Sequence, residues 1–198
     1  MKIVLIALLT VIFVGCTTTY PPITEYRISV ANQKSNTPLH SAKNATIKVS
    51  QVFVRSSLMS KKMKYVVGNY KEYAYNESEW AEQPNKALSD VIVKALEDSA
   101  VFKHVSSYKS FSSSDYTLET NVVAFTQHFS SDEKSSFVKI DITFSLIDNS
   151  SLKVIASKHI VKEKKTEAPN AQSGVKALNE LLSTTLREMV VWLAKDCN

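Results

Sequence analysis

An α/β fold, with a mixed, largely antiparallel sheet and two main helices packed on it, follows from three features of this 198-residue chain. Phe137 to Asp148 alternates cleanly: Val138, Ile140, Ile142, Phe144 and Leu146 face one way, and Lys139, Asp141, Thr143 and Ser145 the other. Period-two alternation marks a strand with one buried and one wet face. Leu88, Val91, Ile92, Ala95, Leu96 and Ser99 recur at helical spacing behind Pro84, a residue suited to a first helical turn. From Ala171 to Ala194 a second stripe of Val175, Leu178, Leu182, Leu186, Met189 and Leu193, widened by Leu181, Val190 and Trp192, gives a longer helix. An apolar strand face and two apolar helix stripes bury one another as layers around one core.

The elements follow in order. Tyr26 to Val30 reads as a first short strand, and Ala31 to Asn44, polar and holding Pro38, as a loop. Thr46 to Arg55 reads as a strand and Ser56 to Lys62 as a connection. Met63 to Val67 and Tyr70 to Tyr75 flank Gly68-Asn69, which predicts a hairpin closed by a two-residue turn. After the Pro84 helix, Val105 to Asp115 is serine-rich and reads as a loop. Tyr116 to Phe129, Phe137 to Asp148 and Leu152 to Val161 predict an antiparallel meander, and Lys162 to Lys165 leads to the terminal helix.

Ahead of this domain stands a leader. Lys2 precedes an apolar run from Ile3 to Val14, then Gly15, Cys16 and Thr17-Thr18-Thr19. The run is shorter than the ~20 residues needed to cross a bilayer and has the layout of a signal peptide. Cleavage is expected between Gly15 and Cys16, with lipid carried on Cys16. The expected division is a signal peptide over 1–15, a lipidated N-terminus and tether over 16–25, and one domain over 26–198. Removing the first 15 of 198 residues leaves 183, enough chain for a core. The tether, if extended, reaches roughly 30 Å and would stand the domain off the membrane. Thr17 is not the Asp that retains lipoproteins at the inner membrane, so the inner leaflet of the outer membrane, facing the periplasm, is the expected address. A diacylglycerol and an N-acyl chain such as palmitate together anchor stably where one chain is marginal.

Composition narrows the chemistry. Lys2 leaves with the leader, taking the formal charge from +5 to +4, a mild and scattered excess that does not argue for nucleic acid. With Cys16 acylated, Cys197 has no intramolecular partner. Gly15, Gly68 and Gly174 are the only glycines, so a clustered-glycine phosphate loop is excluded. His40, His104, His128 and His159 are not at ligand spacing, and no metal site or cofactor beyond the covalent lipid is expected. Serines such as Ser112-Ser113-Ser114 come in runs without a glycine-flanked elbow. Asp115, Glu119 and Asp141 read as solvated strand residues, although distant partners could pair in space. The basic stretches Lys61 to Lys64 and Lys158 to Lys165 read as solvated faces.

One cluster stands out: Tyr65, Tyr70, Tyr73, Tyr75 and Trp80 fall within sixteen residues. Such residues join apolar area to a polar handle and are enriched at interfaces, yet hairpin and core packing is their commoner use. The order Val52-Phe53-Val54-Arg55-Ser56-Ser57-Leu58, Met63-Lys64-Tyr65, Tyr70-Lys71-Glu72-Tyr73, Trp80-Ala81-Glu82-Gln83-Pro84 and Leu96 to Val105 resembles the ABC-type transport auxiliary lipoproteins. Tyr116 to Glu119, Phe125 to Phe129 and the last helix fit the same pattern. These proteins accompany Mla- and Pqi-type lipid transport systems.

The resemblance implies a non-enzymatic adaptor with a fold similar to the TolB N-terminal domain. Its implied partners are an MCE-domain periplasmic protein and an ABC transporter permease and ATPase complex, with phospholipid or a related lipid as cargo. It carries no catalytic residue over. Arg55, Tyr65, Tyr73 and Trp80 are taken as the candidate partner surface, and a homo-oligomer is compatible with all of this. The alternative expectation is an envelope lipoprotein that activates a cell-wall synthase or assists lipopolysaccharide assembly; an enzyme acting on an envelope polymer ranks last.

Overall fold

A single 14-residue strand organises the molecule. In the computed structural model, which describes residues 21–30 and 42–196, the strands are β1 (Thr24–Tyr26), β2 (Ala42–Val49), β3 (Phe53–Val54), β4 (Lys62–Val67), β5 (Lys71–Trp80), β6 (Phe102–Ser107), β7 (Tyr116–Phe129), β8 (Ser136–Asp148) and β9 (Lys153–Lys165). The helices are α1 (Pro84–Ser99) and α2 (Ala171–Asp196). Along one edge β7 pairs antiparallel with β8, and β8 with β9. Its other edge is shared in succession by β2, β3 and β4, all parallel to it. Beyond these, β6 runs parallel to β2, while β5 pairs antiparallel with β4 and carries the parallel edge strand β1. The result is one mixed nine-stranded sheet among the described residues.

Both helices lie on the same face of this sheet and touch each other. Beneath them are Leu118, Val122 and Phe125 of β7 and Val138, Ile140, Ile142, Phe144 and Leu146 of β8, all buried. The helix stripes meet them: Leu88, Ile92 and Leu96 from α1, and Leu178, Leu182, Leu186, Met189 and Leu193 from α2. The basic stretch on β9 is not simply solvated. Lys158 and Lys162 both reach Glu188 on α2, at 3.0 and 2.9 Å, and Lys164 reaches Glu180 at 2.6 Å. Those lysines point to the helix side of β9 and fasten the outer flank of α2 to the sheet edge. The hydrogen bonds from Lys162 and Lys158 hold the Glu188 carboxyl below the usual glutamate range.

Several boundaries differ from expectation. The first strand ends at Tyr26 instead of beginning there, so Thr24 and Glu25 belong to the sheet and not to the tether. After it, Asn179 of α2 clips the chain by accepting from the Ser29 amide and donating to the Arg27 carbonyl, both at 3.1 Å. The hairpin turn holds three residues, Gly68 to Tyr70, because Val67 pairs with Lys71. Gly68 supplies φ +61°, a left-handed conformation cheap only for glycine. Phe102 to Ser107, read in part as loop, is β6: Phe102 and Val105 are buried against the helices, and that burial outweighs the weak strand preference of the serines.

The strand expected over Thr46–Arg55 is broken between Val49 and Phe53. Their partners on β7, Leu118 and Asn121, are three residues apart, whereas Val49 and Phe53 are four apart. The extra residue turns the Val52 amide out of the ladder, and Ser89 Oγ of α1 accepts it at 3.0 Å. Ser89 is 1% exposed. Ser89→Ala should therefore cost about 1–3 kcal/mol, the usual penalty for orphaning a buried amide; urea unfolding of this variant beside wild type reads it directly.

Candidate partner surface

The four residues singled out in the sequence do not form one patch. Tyr65 and Tyr73 are directly opposed across β4 and β5, with ring centroids 5.7 Å apart. Tyr65 also packs on Tyr75 at 4.6 Å and on Phe129 at 5.2 Å. Tyr73 is 48% exposed and Tyr65 half-buried. Arg55 is exposed, but it follows β3 at the middle of β7, well away from the tyrosines at its C-terminal end. Trp80 is 3% exposed, with its ring 5.9 Å from Phe125 inside the core. It offers no surface, so a contact role there falls to the tyrosines. Cys16 and Gly15 lie outside the described residues, as do His40 and Cys197.

Beneath the tyrosines is a polar network that was not legible from the sequence. Tyr75 Oη donates to Gln127 Oε1 at 2.9 Å. Gln127 Nε2 donates to Ser136 Oγ at 2.9 Å and to the Asn170 carbonyl at 3.2 Å. Thr166 Oγ1 donates to the Ser136 carbonyl at 2.9 Å and lies 2.6 Å from Ser136 Oγ. Burial, then the neighbouring Tyr65 and Tyr26 hydroxyls, push the Tyr75 phenol far above its ordinary value, so it remains a proton donor. The network binds β5, β7, β8 and the start of α2 into one rigid corner, and the hydrogen bonds are internal, with no reacting group presented to solvent.

The face of the sheet away from the helices is uncovered by any described element. It presents Lys139, Asp141, Thr143, His159, Val161 and Glu163 in adjacent rows of β8 and β9, with Phe53 and Asn121 beside them. His159 Nε2 is 2.9 Å from Asp141 Oδ1. At the C-terminal end of β7 one cross-strand row, Val66, His128, Phe137 and Lys165, lines an open cleft of about 670 Å³. His128 stacks on Phe137 at 5.1 Å, and burial together with Lys139 lowers its pKa, so it stands there as a neutral ring.

The carboxylates weighed as a catalytic pair are spent separately. Asp115 accepts from the amide and hydroxyl of Thr46, which closes the loop before β7 and holds its carboxyl below the usual range. Asp141 is taken by His159 on the open face, and Glu119 lies farther along β7 opposite Ser145. Among the described residues no group of three or more His, Cys, Asp or Glu is placed to hold a metal, and no helix is long and apolar enough to cross a membrane. The described residues form a layered domain with one sheet face uncovered and an aromatic corner.

Comparison with known proteins defines the class. Residues 26–190 match the family model of the ABC-type transport auxiliary lipoprotein component, and the chain belongs to that family. Its membership associates it with the cell envelope and with transport. Among solved structures, protein XCC0632 from Xanthomonas campestris, a DUF330 protein, superposes with a TM-score of 0.78 at 20% identity, covering 87% of this chain and 95% of that one. A second, of an uncharacterized protein, gives 0.68 at 17% identity over 87% and 99%. At such identities these neighbours bear on the fold alone. No curated protein matches the chain.

Proposed function

We propose that this protein is the lipid-anchored adaptor of an ABC-driven lipid transport system. The lipid on Cys16 holds it to the inner leaflet of the outer membrane, and the domain holds an MCE-domain periplasmic protein whose transporter moves phospholipid or a related lipid. The observation that carries this reading is the family match over 26–190, which takes in every helix and strand named above except the first residues of β1 and the last of α2. It fits that α1 and α2 both pack on one side of the sheet, leaving the other side uncovered among the described residues. It fits also that the chain has no clustered glycines for a nucleotide loop, so the energy comes from the transporter's ATPase. The adaptor itself performs no catalysis.

The reading assigns the partner to the helix-free face. A photo-crosslinking amino acid at Thr143 on that face, in the full-length protein in its native envelope, should capture the MCE-domain protein. The same probe at Glu97, on the exposed side of α1, should not. Capture of a cell-wall synthase or a lipopolysaccharide assembly protein at Thr143 would replace the transport reading. Capture from Glu97 alone would move the interface to the helices.

A further inference from the structure

β1 runs parallel to β5, with Thr24 opposite Ser78 and Tyr26 opposite Trp80. The chain reaching Thr24 therefore comes from the side of the hairpin tip, Gly68 to Tyr70, from which β5 also starts. Cys16 is eight residues before Thr24, a span of at most about 28 Å whatever its path. Tyr70 is eight residues before Ser78, at most about 26 Å along the same direction. A lipid on Cys16 thus tethers the domain by a leash whose full extension is comparable with the length of the hairpin beside it. A leash that follows the direction in which the chain enters ends near that hairpin tip, and any slack in it brings the bilayer onto the tip.

The surface at this end matches such a position. Tyr70 is 93% exposed and Tyr73 48%, and Lys71 follows Tyr70 in the open. Tyrosine, apolar in its ring and polar at its tip, favours the headgroup layer of a bilayer, and lysine beside it reaches lipid phosphate.

We infer that the tip of the β4–β5 hairpin, led by Tyr70, is a membrane-contact element seated in the headgroups of the bilayer that carries the Cys16 anchor. The inference rests on the lipidation of Cys16 in the proposed function. It makes the domain stand on the membrane instead of off it. β7 then points its C-terminal end at the bilayer, α2 runs away from it, and the helix-free face stands upright in the periplasm, open to a partner from the side.

The test uses the full-length lipidated protein in vesicles of phosphatidylethanolamine and phosphatidylglycerol, with a nitroxide on part of the headgroups. Tyr70→Trp places a reporter at the tip. Leu152→Trp places one on the β8–β9 turn, 81% exposed and beside the first residue of β7, about 40 Å away along that strand. Flotation and the intact mass of the Cys16 peptide are read on the same samples. The expected result is flotation, at least about twofold quenching of the fluorescence that Tyr70→Trp adds over wild type, and none of that added by Leu152→Trp. Flotation with no greater quenching at position 70 than at 152 overturns the membrane contact and leaves the anchor intact. Absence of lipid on Cys16 overturns the anchor, and the contact with it.

Discussion

Gly174→Ala is expected to destabilise the domain by about 2–4 kcal/mol, against the sign that helix propensity gives. Gly174 lies in the first turn of α2, where alanine is ordinarily the better residue by up to about 1 kcal/mol. Here a β-carbon would stand 1.9 Å from Gln127 Oε1 and 2.5 Å from its Cδ. Gln127 has little freedom to withdraw. It is 3% exposed and tied to Tyr75, Ser136 and the Asn170 carbonyl. Either the first turn of α2 lifts off the sheet, or the amide swings away and leaves the Tyr75 hydroxyl without its acceptor. A double-mutant cycle isolates the cause. In a Gln127→Ala background the clash is gone, and Gly174→Ala should be neutral or stabilising. Chemical denaturation of the four proteins gives the coupling energy. Equal cost in both backgrounds would mean that the glycine serves something other than the approach of Gln127.

This contact shows where reading the sequence stops. The β8 alternation and the two helix stripes were legible because each is a local period imposed by one buried face, and Tyr116–Phe129 is found with the expected bounds. The pairing along β7 was not. Three short strands, β2, β3 and β4, each spend two or three residues on its edge, and nothing within a strand that short encodes its neighbour. Gln127 reads as a wet strand residue until α2 is laid over it, and Gly174 as a helix weakness until Gln127 is beneath it. The tyrosines show both sides. Alternation correctly sets Tyr73 and Tyr75 on a common face of β5, but carried five residues on it would put Trp80 on the opposite one. The register breaks between Lys62, paired with Glu79, and Lys64, paired with Ala74. That bulge returns Trp80 to the helix side and buries it, and no rule of spacing announces the irregularity in advance.

Trp80 carries the largest effect expected from a single truncation. Its ring is 3% exposed and packs on Phe125, and its position ends β5 where three chain segments meet. The Trp80 amide donates to the Lys61 carbonyl at 2.7 Å, and the Ala81 amide to the Tyr26 carbonyl at 2.7 Å. Trp80→Ala should leave a cavity between the sheet and the helices and cost about 3–5 kcal/mol, a large share of the stability of a domain this size. Tyr73→Ala, by contrast, removes a cross-strand partner of Tyr65 from a surface position and should cost under about 1 kcal/mol. Urea denaturation followed by near-ultraviolet circular dichroism ranks the two. The ranking separates packing from binding in this stretch of the chain. Any partner lost by Trp80→Ala should be lost in proportion to the unfolded fraction and return when the protein is stabilised by temperature or osmolyte. A partner lost by Tyr73→Ala should be lost at full stability. A Trp80→Ala protein that unfolds like wild type would mean that the indole is not in the core, and the reading of Trp80 as a surface residue would stand again.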